Sequence, residues 1–154
     1  MTVDEFRKLI GRVTGRIAGQ RLDSQLETYL NTHLAGDTPL FMQIEDACHE
    51  AIREGWMCNR EAGGIAYGRV LKPERAIQGF SVDVVRMADV EGPLHRHPLG
   101  EIDMIMPVTE GALFDGKPRG WCVYGPGSTH SPTVTEGEAL VLYLLPEGRI
   151  EFTR

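Results

Sequence analysis

The spacing of apolar residues changes once along this chain, near residue 60, and that change limits the possible folds more than any other feature. In "TVDEFRKLIGRVTGRIAG" the residues Phe6, Leu9, Ile10, Val13 and Ile17 recur every three or four positions, one stripe of a helix. A second start signal lies in "DSQLETYLNTHL", where Ser24 and Glu27 fit a capping box ahead of Leu26, Leu30 and Leu34. In "GDTPLFMQIEDACHEAIREGW" either Asp37 or Thr38 can cap and Pro39 suits a first turn. Phe41, Ile44, Cys48 and Ile52 then share a face, and Gly55 ends the helix. Past residue 60 the period becomes two. "GGIAYGRVL", "GFSVDVVRM", "EIDMIMPV", "GWCVYG" and "EALVLYLLPEGRIEF" are short, β-branched or aromatic, and divided by Gly, Pro and Asp. "FDGK" and "LPEGR" read as hairpin turns, because glycine supplies the positive φ such turns need. The expectation is a mainly β, single-domain protein. Residues 59–154 would form an antiparallel barrel or sandwich, and residues 1–58 a helical N-terminal extension packed on it or on a second subunit.

Composition removes several classes. With 154 residues the chain can bury a core without staples. A formal net charge of -6, with no Lys/Arg stripe, argues against nucleic acid as a partner. Cys48, Cys58 and Cys122 are odd in number and widely spaced, which favours free thiols in a reducing compartment. "MTVDEFRKLIGRV" carries early acids and no long apolar run, so neither a signal peptide nor a membrane span is expected. A cytoplasmic protein is the expectation. No dinucleotide fingerprint is present, so no nucleotide cofactor is expected either.

The chemistry concentrates in "GPLHRHPLGE". On a strand, His95 and His97 point the same way, and Glu101 has the same parity across the "PLG" bend. Two imidazoles and a carboxylate on one side match the facial ligand set of a divalent metal. A polar surface turn is the competing reading. His49, one turn after Glu45, reads as a surface contact, His33 as a helix-end cation, and Cys122 as a buried thiol.

A second stretch, "GPGSTHSP", follows later in the β-region. Together the two stretches resemble the motifs of cupins: His95, His97 and Glu101 match the first, and His130 after the Pro/Gly turn matches the second. The resemblance covers roughly residues 63–154. It implies a small antiparallel barrel (a jelly roll) in which His95, His97, Glu101 and His130 bind one divalent metal. Three imidazoles and a carboxylate would suit Fe, Mn, Ni, Co or Zn. With its helical N-terminal third and its central block, the chain as a whole is similar to the 4-hydroxylaminobenzoate lyases of nitroaromatic degradation. That similarity implies conversion of 4-hydroxylaminobenzoate and water to 3,4-dihydroxybenzoate and ammonia.

Polar residues in phase with apolar strand positions are candidates for holding such a substrate. Arg69 shares parity with Ile65, Tyr67 and Leu71; Arg86 shares it with Phe80, Val82 and Val84. Either arginine can clamp a carboxylate, against the alternative of a structural ion pair. Tyr67 or Trp121 would flank the ring, Asp103 would orient a ligand histidine, and Glu101 would double as catalytic proton carrier. The expected partners are a small aromatic carboxylate and a second copy of the chain, because cupins often dimerise and exposed edges need cover. Two rival readings use the same four ligands: an Fe(II) dioxygenase acting on a small acid or catechol, and a non-enzymatic zinc-binding sensor.

Overall fold

The computed structural model describes residues 1–152, so the expected barrel segment runs two residues beyond what is described. Three helices come first. Helix α1 (Val3–Ile17) starts at Thr2, whose side chain accepts from the Glu5 amide, and it buries Phe6, Ile10, Val13 and Ile17. Helix α2 (Ser24–His33) is capped by Asp23, which accepts from the Leu26 amide, and not by Ser24. The expected capping box does not form because Glu27 is engaged elsewhere: Oε1 accepts from the Val123 amide at 2.8 Å and from Lys117 at 3.1 Å. Helix α3 (Pro39–Glu54) has Thr38 at its N-cap and Pro39 in its first turn. Gly55 ends it in the left-handed region at φ 87°.

Ten strands follow: β1 (Arg60–Ala62), β2 (Ile65–Leu71), β3 (Phe80–Glu91), β4 (His95–His97), β5 (Glu101–Pro107), β6 (Leu113–Phe114), β7 (Gly120–Tyr124), β8 (Ser128–His130), β9 (Thr133–Pro146) and β10 (Glu151–Phe152). They make a seven-stranded sheet, ordered β1-β2-β3-β9-β5-β7 with β6 also on β9, and a three-stranded sheet, β10-β4-β8. Every pairing is antiparallel. The expected mainly β fold with a helical N-terminal third is what the chain adopts. Of the two expected hairpin turns, "FDGK" forms: Asp115 and Gly116 have positive φ and Phe114 bridges Lys117. "LPEGR" is a tight turn with positive φ at Glu147 and Gly148, but no hairpin, because β10 pairs with β4 and not with β9.

The large sheet is covered on both faces. On one, Val82, Val84, Met104, Trp121 and Leu142 pack against the three helices. On the other, Val85, Met87, Ile105, Val141 and Leu145 line the interior facing the small sheet. This double burial explains why "ALVLYLL" is almost continuously apolar and why "EIDMIMP" is buried along nearly its whole length. Each fully buried large side chain contributes about 1.5–3 kcal/mol relative to exposure.

Helix α2 also closes an open edge. Strand β7 ends the sheet path and would leave unpaired backbone groups. The Asn31 side chain donates to the Trp121 carbonyl at 2.9 Å and accepts from the Trp121 amide at 2.8 Å. Glu27 takes the next outward amide, that of Val123. The Trp121 indole donates to the Leu34 carbonyl at 2.7 Å, so this ring faces the helices.

Candidate metal centre

Strands β4 and β8 pair with His95 opposite His130, and β5 brings Glu101 to the same point. The connection is forced through Gly100 at φ 92°. A Cβ there would lie 2.7 Å from the Leu22 side chain and from the Tyr124 carbonyl, so only glycine permits the bend. His95, His97 and Glu101 are buried, while Arg96 between the histidines points outward to Glu151.

One ligand atom from each of His95, His97, Glu101 and His130 lies within 4.8 Å of the others. Glu101 oxygens are 3.6, 3.3 and 3.5 Å from the Nε2 atoms of His95, His97 and His130, and the His95 and His130 Nε2 atoms are 3.0 Å apart. Donor atoms that share a divalent ion at ~2.1 Å are separated by about 3.0–3.4 Å, so the spacing fits a coordination shell. Both Glu101 oxygens and His97 Nε2 are buried without a hydrogen-bond partner among the described residues. Buried polar atoms without partners are costly, and an ion would satisfy all three.

The opposite ring nitrogens are all occupied. Ser128 Oγ gives its one proton to the Gly125 carbonyl at 2.6 Å, so at 3.0 Å it accepts from His97 Nδ1. His95 Nδ1 lies 3.3 Å from the Pro93 carbonyl, which only accepts. His130 Nδ1 lies 2.6 Å from Asp115 Oδ2. Acceptors at every Nδ1 direct each Nε2 toward Glu101, so Nε2 is the nitrogen left for a metal.

Two carboxyl groups divide the electrostatics. Burial disfavours a charged Glu101, but His130, His95 and His97 outweigh it and hold its carboxyl well below the usual carboxylate range. Burial, and then the Glu101 charge, push Asp103 well above its usual range. Asp103 was expected to orient a ligand histidine. Its oxygens instead have no hydrogen-bond partner among the described residues, and Asp115 does the orienting. For His130, burial works against the charge, yet Asp115 and Glu101 carry it up to about 9.

A cavity of about 830 Å³ opens between the two sheets, with His95, Tyr67, Arg69, Asp83, Tyr143 and Phe152 in its wall. Arg69 reaches Asp83 at 3.2 and 3.3 Å and the Gly148 carbonyl at 3.2 Å. Arg86 does not line the cavity; it is exposed and paired with Glu138 at 2.8 Å. The reason is parity. Val82 and Val84 face the helices, and Arg86 continues that side of β3. Trp121 likewise stands behind the sheet, packed edge-on against Phe41, and flanks nothing in the cavity. Away from this site, Glu45 binds Arg119 at 2.6 and 2.7 Å rather than His49, His33 stacks on Tyr29, and Cys122 is a buried thiol as expected. Asp115 and Tyr143 were not singled out by sequence: one reads as turn chemistry, the other as part of an apolar run. The visible signal for Tyr143 was a single hydroxyl within "ALVLYLL".

A family model described as "PnbB: 4-hydroxylaminobenzoate lyase" matches residues 8–152. The chain belongs to the 4-hydroxylaminobenzoate lyase family. One curated lyase of that name, from Nocardioides sp. (strain LMS-CY), is 37% identical over 122 residues, 73% of this chain and 72% of the relative. Another, from Pseudomonas putida, is 31% identical over 133 residues, 75% of this chain and 76% of the relative. Among solved structures, this lyase-family chain is similar to an RmlC-like cupin protein from Ralstonia eutropha (12% identity, TM-score 0.45, 60% and 62% covered). It is also similar to an oxalate oxidase in complex with glycolate (23% identity, TM-score 0.46, 60% and 57% covered). No helix among the described residues is long and apolar enough to cross a membrane.

Proposed function

We propose that the chain converts 4-hydroxylaminobenzoate and water to 3,4-dihydroxybenzoate and ammonia, at a centre where His95, His97, Glu101 and His130 hold one divalent metal ion. The observation that carries this reading is the meeting of four converging donor atoms with a largely apolar cavity whose lining includes Arg60 and Arg69. A bound divalent ion supplies Lewis acidity at the reacting end of the substrate. Everything else falls to the protein.

Arg69 takes the ring carboxylate. It lines the cavity while paired with Asp83, whose carboxyl burial pushes up against the pull of Arg69. Tyr67 and Phe152 flank the ring, and a para arrangement then directs the hydroxylamino group toward His95. Glu101 is kept ionised by the imidazoles and is placed to accept a proton as water attacks. The overall reaction is redox-neutral, because the N–O bond is reduced as the ring is oxidised. A homodimer in the cytoplasm completes the proposal.

Product analysis tests it. Purified protein given 4-hydroxylaminobenzoate should release ammonia and 3,4-dihydroxybenzoate in equal amounts. A ring-hydroxylated product that keeps its amino group would overturn the reading.

A further inference from the structure

Tyr143 has no task in the account above, yet it occupies the middle of the cavity floor. On β9 it pairs in register with Asp83 of β3 and with Asp103 of β5, so its ring stands on the interior face between two carboxyl groups. It is only 6% exposed, and it lines the same cavity as His95. Its ring centre lies 6.4 Å from that of His95 and 6.4 Å from that of Phe114.

A buried tyrosine normally gives its hydroxyl proton to a partner. This hydroxyl has none among the described residues, and Tyr143 is part of the cavity wall. Burial first, and then the charges of Glu101 and Asp103, keep the phenol protonated. The neighbouring groups are otherwise committed. Asp83 holds Arg69, Asp103 is fully buried, and Tyr67 stands at the rim, 37% exposed.

We infer that Tyr143 is a catalytic residue: it touches the hydroxylamino group and gives its proton to the oxygen that departs. This rests on the lyase reading. The N–O bond breaks with both electrons on oxygen, which takes the phenolic proton and leaves as water. A water molecule then adds to the electron-poor ring carbon beside the one bearing nitrogen, and the proton it releases restores the phenol. A second water hydrolyses the C=N bond to C=O and frees ammonia, and loss of the proton from the hydroxylated ring carbon to that oxygen restores the aromatic ring as 3,4-dihydroxybenzoate. Two waters are consumed and one is formed, which matches the net reaction and needs no external oxidant.

The test compares wild type with Tyr143→Phe, which fills the same space, both as metal-loaded protein. The account expects kcat to fall about 100-fold, the usual size of a lost general acid. Metal content should not change, nor should the affinity for 4-aminobenzoate, which lacks the departing oxygen. A variant with undiminished kcat overturns the assignment. So does one that loses metal or 4-aminobenzoate binding in step with kcat, because that marks a structural role. A wild type that leaves 4-hydroxylaminobenzoate untouched overturns the lyase reading itself, a different result from an active wild type matched by its variant.

Discussion

Asp115 Oδ2 lies 2.6 Å from His130 Nδ1, and the same carboxylate accepts from the Tyr124 hydroxyl and, at 2.9 Å, from the Thr133 amide. One side chain in the "FDGK" turn thereby ties β7, β8 and β9 together and fixes the ring of a proposed metal ligand. Partners of this kind set ligand orientation and basicity. Asp115→Ala should lower metal affinity about 10- to 100-fold while the fold is retained, the usual cost of losing such a partner. Competition against a chromophoric chelator measures this, and an unchanged affinity would contradict the role.

The same contact predicts a pH dependence. His130 is carried up to about 9, so at neutral pH its proton competes with a metal for Nε2. A raised value means the protonated form persists below about pH 9 and is lost above it. Metal affinity of the metal-free protein should therefore rise from pH 7 to 9, at most about tenfold per unit for this one proton, and then level off. Titration calorimetry at several pH values should show the slope; a flat profile over that range would exclude it.

Asn31 makes a stability prediction independent of the metal. Its amide serves both backbone groups of Trp121 on an open sheet edge. Asn31→Ala should cost about 1–3 kcal/mol, because two hydrogen bonds go and the edge groups lose their partners. Urea unfolding of the metal-free protein checks it. A loss well below that range would mean that water replaces the side chain.

Arg69 and Arg86 should separate cleanly. One lines the cavity and the other is paired with Glu138 outside it. Arg69→Ala should raise KM about 10- to 100-fold, as expected for a charge-assisted bond worth ~1.5–3 kcal/mol, with kcat less affected. Arg86→Ala should leave both constants nearly unchanged. Steady-state kinetics of the two variants decide the point, and a larger effect from Arg86 would reverse the assignment.

Much of the candidate site was legible because the proposed ligands lie in two short stretches. Parity placed His95, His97 and Glu101 together, and the resemblance to the second cupin motif marked His130. Parity misled at Arg86, since β3 carries apolar residues on both faces and sequence cannot say which side is the interior. Asp115 and Asn31 were invisible for another reason. Their partners are 15 and 90 residues away, and nothing local distinguishes them from ordinary turn and helix residues. The capping box at Ser24 fitted a local rule that a tertiary contact of Glu27 overrode.

The most direct measurement is an oxygen-free assay of the metal-loaded protein with 4-hydroxylaminobenzoate, run beside His97→Ala. The account predicts one ammonia and one 3,4-dihydroxybenzoate per substrate without oxygen, and loss of both from a folded variant. Turnover only after air is admitted, or full activity in His97→Ala, would contradict it.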